Sequence, residues 1–215
     1  MKVGVLGSGI VGQVLGAGFV SRGHDVKLGT RDPAKDKIKE WVAKNGSKAS
    51  AGTFEETATF GELLVLATLW DGTKSAIQLA KPENFGGKVV IDTTNPLDFS
   101  KGVPPKLSIG WSNSAGEEVQ RLLPKARVVK CFNTVGNAHM VDPKFPGGPP
   151  DMFIAGNDAE AKKKVTEVCA AFGWPGTIDL GGIESARYLE PLAMVWILEY
   201  FRTGSPNHAL KMLRK

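Results

Sequence analysis

The sequence predicts an α/β fold, a doubly wound and mostly parallel sheet with a small C-terminal helical extension. Three observations predict it. Short apolar runs of strand length alternate with segments whose apolar residues recur at helical spacing. A Gly-x-Gly-x-x-Gly string, Gly7-Ser8-Gly9-Ile10-Val11-Gly12, stands between the first such run and the first such helix. The run Leu63-Leu64-Val65-Leu66-Ala67 is continuously apolar, as a strand buried on both faces of a parallel sheet is.

Taken in order, Val3-Gly4-Val5-Leu6 is the first strand, and Val11, Val14, Leu15 and Phe19 give the next segment a helical stripe that Gly23 ends. Asp25 to Gly29 is the second strand. Thr30 and Arg31 follow it, and Asp32-Pro33 supplies the N-cap and first turn of a helix over 34–44, with Ile38, Trp41 and Val42 on one face. A short strand near Lys48 to Ala51 precedes Thr53-Phe54-Glu55-Glu56, a capping box that opens a short helix. The fourth strand is Leu63 to Ala67, a helix spans 72–80, and Lys88 to Asp92 is the fifth strand, ending in Thr93-Thr94-Asn95-Pro96.

The second half continues the theme less regularly. Val103-Pro104-Pro105 marks a loop, Ser114-Ala115-Gly116-Glu117 reads as a second capping box, and Arg127 to Phe132 is a sixth strand that holds Cys131. Asp142 to Pro150 is a stiff loop, equally readable as the wall of a pocket or a surface connection. Asp151 to Ala155 is a strand, 158–172 a helix with Ala161, Val165, Val168, Cys169 and Phe172 in register, and Thr177 to Leu180 a last strand. A long apolar helix then runs from about Glu184 to Phe201, and Pro191 inside it is expected to bend or split it. Its apolar breadth, from Tyr188 and Leu189 through Leu192 and Met194 to Leu198 and Tyr200, leaves core burial and a homodimer interface both open. Residues 1–215 read as one domain, with 183–215 as the extension.

Composition narrows the class. A chain of 215 residues with 42% hydrophobic content can bury a sizeable core. The strand that begins at residue 2 leaves no room for a leader, and the longest apolar stretch, Leu192 to Leu198, is far short of a membrane span, so a cytoplasmic protein with no membrane partner is expected. Cys131 and Cys169 have no metal or redox spacing and read as buried thiols; no spaced cluster of His, Cys and carboxylates supports a metal. Net charge is +5, which suits an anionic partner. The basic residues are scattered, with a terminal cluster only at Lys211, Arg214 and Lys215, and no aromatic-basic interleaving argues for nucleic acid.

The glycine string points to a dinucleotide. Gly7 allows the tight turn, Gly9 lets the backbone approach a pyrophosphate, and Gly12 lets the helix pack closely on the strand, while the helix N-terminus offers free N–H groups to the anion. Ser8 can add a hydroxyl donor. The bland alternative is a strand-to-helix turn with no ligand. Where the second strand ends, an Asp or Glu would take the ribose 2′-hydroxyl of NAD; Thr30 and Arg31 stand there instead, with Lys35 a turn later. Arg can hold a 2′-phosphate as a fork and Lys as a point charge, which favours NADP(H). Read without that phosphate, both are solvated turn residues.

The order Val5 to Gly12, then Arg22-Gly23-His24-Asp25-Val26, Gly29-Thr30-Arg31-Asp32, Asn133-Thr134-Val135-Gly136, Ile154-Ala155-Gly156-Asn157-Asp158 and Arg187-Tyr188-Leu189-Glu190-Pro191-Leu192 resembles the NADP oxidoreductases dependent on the 8-hydroxy-5-deazaflavin coenzyme, coenzyme F-420. The resemblance spans nearly the whole chain and implies a Rossmann-type fold and direct hydride passage between a deazaflavin and a nicotinamide ring. It implies that Ser8, Gly9, Ile10 and Val11 line the diphosphate turn and that Thr30, Arg31 and Lys35 take the 2′-phosphate. Thr68, Leu69 and Trp70 after the fourth strand, Lys74 one turn further on, and Asn95 after the fifth would border the cofactor. Asn133, Thr134, Val135, Gly136 and Asn137 would lie by the nicotinamide and the second ring. That family's reductases carry His where this chain has Asn133, and a proline and a small residue where it has Gly136 and Asn137.

Acid or base candidates are few. His24 sits in a turn, His208 on what reads as a short amphipathic helix, and His139 near a strand-end loop; Glu190 and Arg187, three apart, read as a packing pair or as pocket residues. That scarcity fits hydride exchange between two bound rings, with no catalytic side chain assigned. An NADPH-dependent reductase of a small carbonyl or imine, using Lys74, His139 or Glu190, and a noncatalytic NADP(H) sensor remain as alternatives.

Overall fold

A computed structural model describes residues 1–213 and 215; Arg214 of the terminal basic cluster lies outside the described residues. The strands β1 (Lys2–Leu6), β2 (Asp25–Gly29), β3 (Ala49–Gly52), β4 (Leu63–Leu66), β5 (Val89–Asp92), β8 (Arg127–Lys130), β9 (Met152–Gly156) and β10 (Thr177–Asp179) form one sheet. Its order is β10-β9-β8-β5-β4-β1-β2-β3. The chain winds outward from β1 to β3, returns to lay β4 against the other side of β1, and winds outward again, so the strand order reverses between β1 and β4. Pairings are parallel except β8 with β9. The reason lies in the connection over 131–151, whose one regular piece is a 3-10 turn at Asn137–His139. With no crossover helix to carry it back, the chain re-enters the sheet from the edge at which it left.

Helices α1 (Ile10–Ser21), α2 (Asp36–Asn45) and α6 (Ala159–Ala171) bury one face of the sheet, and α3 (Phe54–Phe60), α4 (Trp70–Ala80) and α5 (Ala115–Leu122) the other. The two-residue period of β4 divides its side chains accordingly. Leu63 and Val65 join Leu15, Phe19 and Trp41 on the first face; Leu64 and Leu66 join Phe54, Ile77 and Val119 on the second. Helix α1 ends as the sequence implies: Gly23 at φ +82° follows the cap, its N–H donates to the Val20 carbonyl and that of His24 to Phe19. A two-strand hairpin, β6 (Leu97–Asp98) with β7 (Lys106–Leu107), leaves the sheet after β5; the sequence marked only its Val103-Pro104-Pro105 tip. No helix among the described residues is long and apolar enough to cross a membrane.

Several boundaries differ from expectation for local reasons. Helix α2 starts at Asp36, capped by Lys35 without a side-chain bond, because the Asp32 carboxylate closes its own turn on the Ala34 N–H at 3.0 Å. Cys131 lies one residue past β8, and the last strand stops at Asp179. Helix α7 (Ala186–Thr203) is continuous through Pro191. Pro191 removes the bond to the Arg187 carbonyl but sits on the exposed face, where water can replace it, while Leu189, Glu190 and Ala193 anchor the buried face. His208 is not helical; it lies in an extended C-terminal segment, stacked on Trp196 at 4.6 Å.

Candidate active site at the carboxyl edge of the sheet

The turns after β1, β2, β4, β5 and β8 all leave from the carboxyl edge of parallel strands, and the strand order reverses between two of them. That crevice is where open α/β sheets receive ligands. The structure therefore brings together there the turns bearing Gly7 to Gly12, Thr30 to Lys35, Thr68 to Trp70, Asn95 and Asn133 to Asn137.

The three glycines of the first turn are required for different reasons. Gly7 has φ +126°, donates its N–H to the Gly29 carbonyl at 3.1 Å, and a Cβ on it would collide with the Ala67 carbonyl. A Cβ on Gly12 would strike the Gly7 carbonyl itself. On Gly9 a Cβ would meet nothing within 4 Å, so this glycine leaves space rather than filling a tight contact. Gly9 is also the N-cap of α1, with no side-chain cap and no acidic residue in the first turn. Uncapped N–H groups over an open backbone are what a diphosphate needs. Ser8 is half-buried and its carbonyl accepts from Gln13 Nε2 at 3.0 Å; Ile10 is exposed and Val11 half-buried.

At the end of β2, Thr30 is buried and donates its N–H to the Gly52 carbonyl at 3.0 Å. Arg31 and Lys35 extend exposed cations from the turn. Lys35 lies in the turn itself rather than one helical turn later, since α2 begins after it. Beyond β4, Thr68 Oγ1 pairs with Thr73 Oγ1 at 2.8 Å, Leu69 caps α4 and is exposed, Trp70 is half-buried in its first turn and Lys74 is exposed.

On the far side, two amides clasp each other. Asn95 Nδ2 donates to the Asn133 carbonyl at 2.9 Å, and Asn133 Nδ2 donates to Asn95 Oδ1 at 3.0 Å and to the Leu189 carbonyl of α7 at 3.1 Å. Both partners of Nδ2 are acceptors, which fixes the orientation of the Asn133 amide. Its Oδ1 is then the one buried side-chain acceptor without a partner among the described residues. Thr134, Val135 and Gly136 are buried and Asn137 half-buried; Gly136 has no room for a Cβ because Trp196 of α7 packs against it.

Below this floor lies a cluster that the sequence reading missed. Lys130 Nζ, fully buried, contacts Asp92 Oδ2 at 2.9 Å, Glu190 Oε1 at 2.8 Å and the Thr94 carbonyl at 2.7 Å. Burial alone would lower the pKa of this ammonium, but Asp92 and Glu190 reverse that and the net direction is upward. Asp92 Oδ1 accepts from Thr94 N and Oγ1, and Glu190 accepts the first N–H groups of α5, from Ala115 at 2.9 Å and Gly116 at 3.0 Å. The cluster ties the ends of β5 and β8, the N-terminus of α5 and α7 into one unit beneath Asn95 and Asn133. The signal was available: a charge closing an apolar strand that is buried on both faces has to be paired.

The expected Arg187–Glu190 pair does not form. Glu190 is committed to Lys130, and Arg187 instead holds Glu117 through Nε at 2.8 Å and Nη2 at 2.5 Å, keeping the Glu117 carboxyl below its ordinary range. Hence the second capping box is only half made: Ser114 Oγ accepts from the Glu117 N–H, but the Glu117 carboxylate turns to Arg187 and the Ser114 hydroxyl. His24 lies in its turn beside Phe19, its pKa lowered by burial. His139 packs at a tilt against Phe145, ring centres 4.5 Å apart, and pairs with Asn207 Oδ1. Cys131 and Cys169 are buried thiols 3.6 Å apart, and burial pushes the Cys131 thiol well up, away from the reactive thiolate. No metal-competent group of His, Cys, Asp and Glu occurs among the described residues.

Residues 2–96 match the family model for coenzyme F420-dependent NADP oxidoreductases. The F420-dependent NADP reductase of Methanocaldococcus jannaschii is 29% identical over 206 residues, covering 92% of this chain and 91% of that protein. The rat metalloreductase STEAP3 is also 29% identical, over 90% of this chain, but the match spans only 36% of its length. Among solved structures, one from Arthrobacter sp. FB24 assigned to the F420-dependent NADP reductases superposes with a TM-score of 0.95 at 39% identity over the full length of both chains. Imine reductases and reductive aminases share the fold at 20% identity or less. An open glycine turn, a cationic strand end and likeness along the whole chain converge: this protein belongs to the family of coenzyme F420-dependent NADP oxidoreductases.

Proposed function

We propose that this protein transfers hydride between NADP(H) and a deazaflavin or flavin-type ring. The observation that carries the proposal is the open, uncapped turn at Gly9 followed by exposed Arg31 and Lys35 at the end of the neighbouring strand. The α1 N-terminus holds the diphosphate through the N–H groups that follow Gly9, beside the Ser8 hydroxyl, with Ile10 and Val11 flanking it. Arg31 grips the 2′-phosphate as a fork, Lys35 adds a point charge, and Thr30 sets the turn from which both extend. Thr68, Leu69, Trp70 and Lys74 border the nicotinamide riboside. Asn95 and Asn133, locked together, with Thr134 to Asn137 beside them, form its far wall, and the unpaired Asn133 Oδ1 fits a ligand N–H donor there.

When bound, the nicotinamide would supply or accept the hydride, the accompanying proton at the ring nitrogen of the second substrate would exchange with solvent, and the chain's contribution is proximity and orientation, with no side chain assigned to that proton. Glu190 supports this division, because it is 1% exposed and engaged on both oxygens, leaving it no path to a substrate. The free thiols support a reducing, cytoplasmic setting. A second copy of the chain is proposed to cover the exposed apolar residues Tyr188, Val195 and Leu198 of α7. The test is to follow the near-ultraviolet absorbance of NADPH after adding coenzyme F420 or FMN. Oxidation by one of these rings is expected; oxidation by neither, with NADPH bound, overturns the proposal.

A further inference from the structure

One residue of the carboxyl edge has no place in that division of labour. Between β5 and α5 the chain leaves the sheet, makes the β6–β7 hairpin and returns through Trp111, which is 97% exposed. Its φ is +58°, and the Ser112 N–H donates to the Gly110 carbonyl at 2.8 Å, so Trp111 is the central residue of a γ-turn on the positive-φ side. That conformation is rare and strained for any residue and an outlier for a bulky one. Two costs coincide at a single position: a strained backbone, and an indole left in water. At such exposure the ring packs on almost nothing, so internal packing repays neither.

The turn is anchored upstream beside the nicotinamide wall and downstream on the buried cluster beneath it. Upstream, Ser108 donates its N–H at 2.8 Å and its hydroxyl at 3.1 Å to the carbonyl of Pro96, the neighbour of Asn95. Downstream, the first N–H groups of α5 are held by Glu190. Lys101 and Lys106 add exposed cations to the same excursion. Strain of this kind persists where the surrounding structure over-determines it, and it concentrates at ligand clamps.

We infer that Trp111 is the stacking platform for the planar tricyclic ring of the second substrate, with Lys101 and Lys106 supplying the field for the anionic side chain that coenzyme F420 and FMN both carry. The inference rests on the hydride-transfer reading above. An indole face accepts a planar heteroaromatic ring without hydrogen-bond readout, so the platform sets ring class and leaves nucleotide affinity alone.

The test measures dissociation constants of coenzyme F420 and of FMN for the protein saturated with NADP+, in the wild type, Trp111→Phe and Trp111→Ala. With the side chain in solvent, all three should fold alike, as NADP+ affinity will report. Trp111→Ala is expected to weaken whichever ring binds by roughly five- to a hundredfold and Trp111→Phe by much less, with NADP+ affinity unchanged. The arm that binds identifies the ring. Unaltered ring affinity in Trp111→Ala, or an equal loss of NADP+ and ring, overturns the platform alone. A wild type that binds NADP+ but neither ring overturns the hydride-partner reading, and the platform with it.

Discussion

Replacing Lys130 by Met removes a charge from the interior while nearly preserving the volume of the side chain. In the native protein the ammonium touches two carboxylates and a carbonyl at 2.7–2.9 Å, with all three side chains essentially inaccessible. The substitution takes the cluster from one net negative charge to two. Asp92 keeps its bonds from Thr94, and Glu190 keeps the N–H groups of Ala115 and Gly116, but neither keeps a counter-charge. Deleting one partner of a buried pair costs about 3–5 kcal/mol, because the partner left behind is uncompensated. That is a large share of the roughly 5–15 kcal/mol by which domains are stable, and for a chain of this size it lowers Tm by about 6–20 °C. Urea unfolding followed by circular dichroism and by tryptophan fluorescence measures it, with coincident transitions checking two-state behaviour. Adding Glu190→Gln restores the native net charge, so the double variant should be more stable than the sum of the two single losses predicts by about 0.5–3 kcal/mol. A loss below about 1 kcal/mol for Lys130→Met, or strict additivity, would refute the view that these charges are mutually dependent.

Gly9→Ala separates ligand from fold: a Cβ there meets nothing, so thermal stability should stay within about 1 kcal/mol of wild type while NADPH affinity falls, and an unchanged affinity would mean that no diphosphate approaches this turn. Arg31→Ala should weaken NADPH about 10- to 150-fold, the worth of a charge-assisted hydrogen bond, and NADH hardly at all; equal losses in calorimetric titration would assign Arg31 a folding role. The Glu117 carboxyl, lowered first by its hydrogen bonds from Arg187, lends stability that is present above the ordinary glutamate range and lost as pH falls through the lowered value. Glu117→Gln should therefore lower stability near neutrality and leave it little changed at the acid end, which flattens the acid limb of the profile, and an unchanged profile would show the pair to be inert.

What the sequence disclosed, it disclosed where one residue type alone satisfies the geometry. Gly7 and Gly12 are forced by collisions with neighbouring carbonyls, and the apolar period of β4 is forced by burial on both faces, so the glycine turn and the parallel strand can be read from letters alone. The start of α2 was misplaced because Asp32 has two local uses, helix cap and self-closed turn, and the second one won. Charges were hardest. Lys130 finds Asp92 across 38 residues of sequence, and Arg187 passes over nearby Glu190 for Glu117, 70 residues away. No spacing rule along a helix reaches such partners, because strand order creates them. Trp111 gave no periodic signal at all; its meaning lies in exposure and backbone angle, which appear only once the chain is folded.

The central claim is that the glycine turn and the cationic end of β2 form one site for a dinucleotide that carries a 2′-phosphate. Calorimetric titration of the wild-type protein with NADPH, NADH and 2′,5′-ADP tests it most directly. The account predicts NADPH at least about tenfold tighter than NADH, and measurable binding of 2′,5′-ADP, which carries the phosphate without the nicotinamide. Equal affinity for NADPH and NADH, with no binding of 2′,5′-ADP, would contradict it.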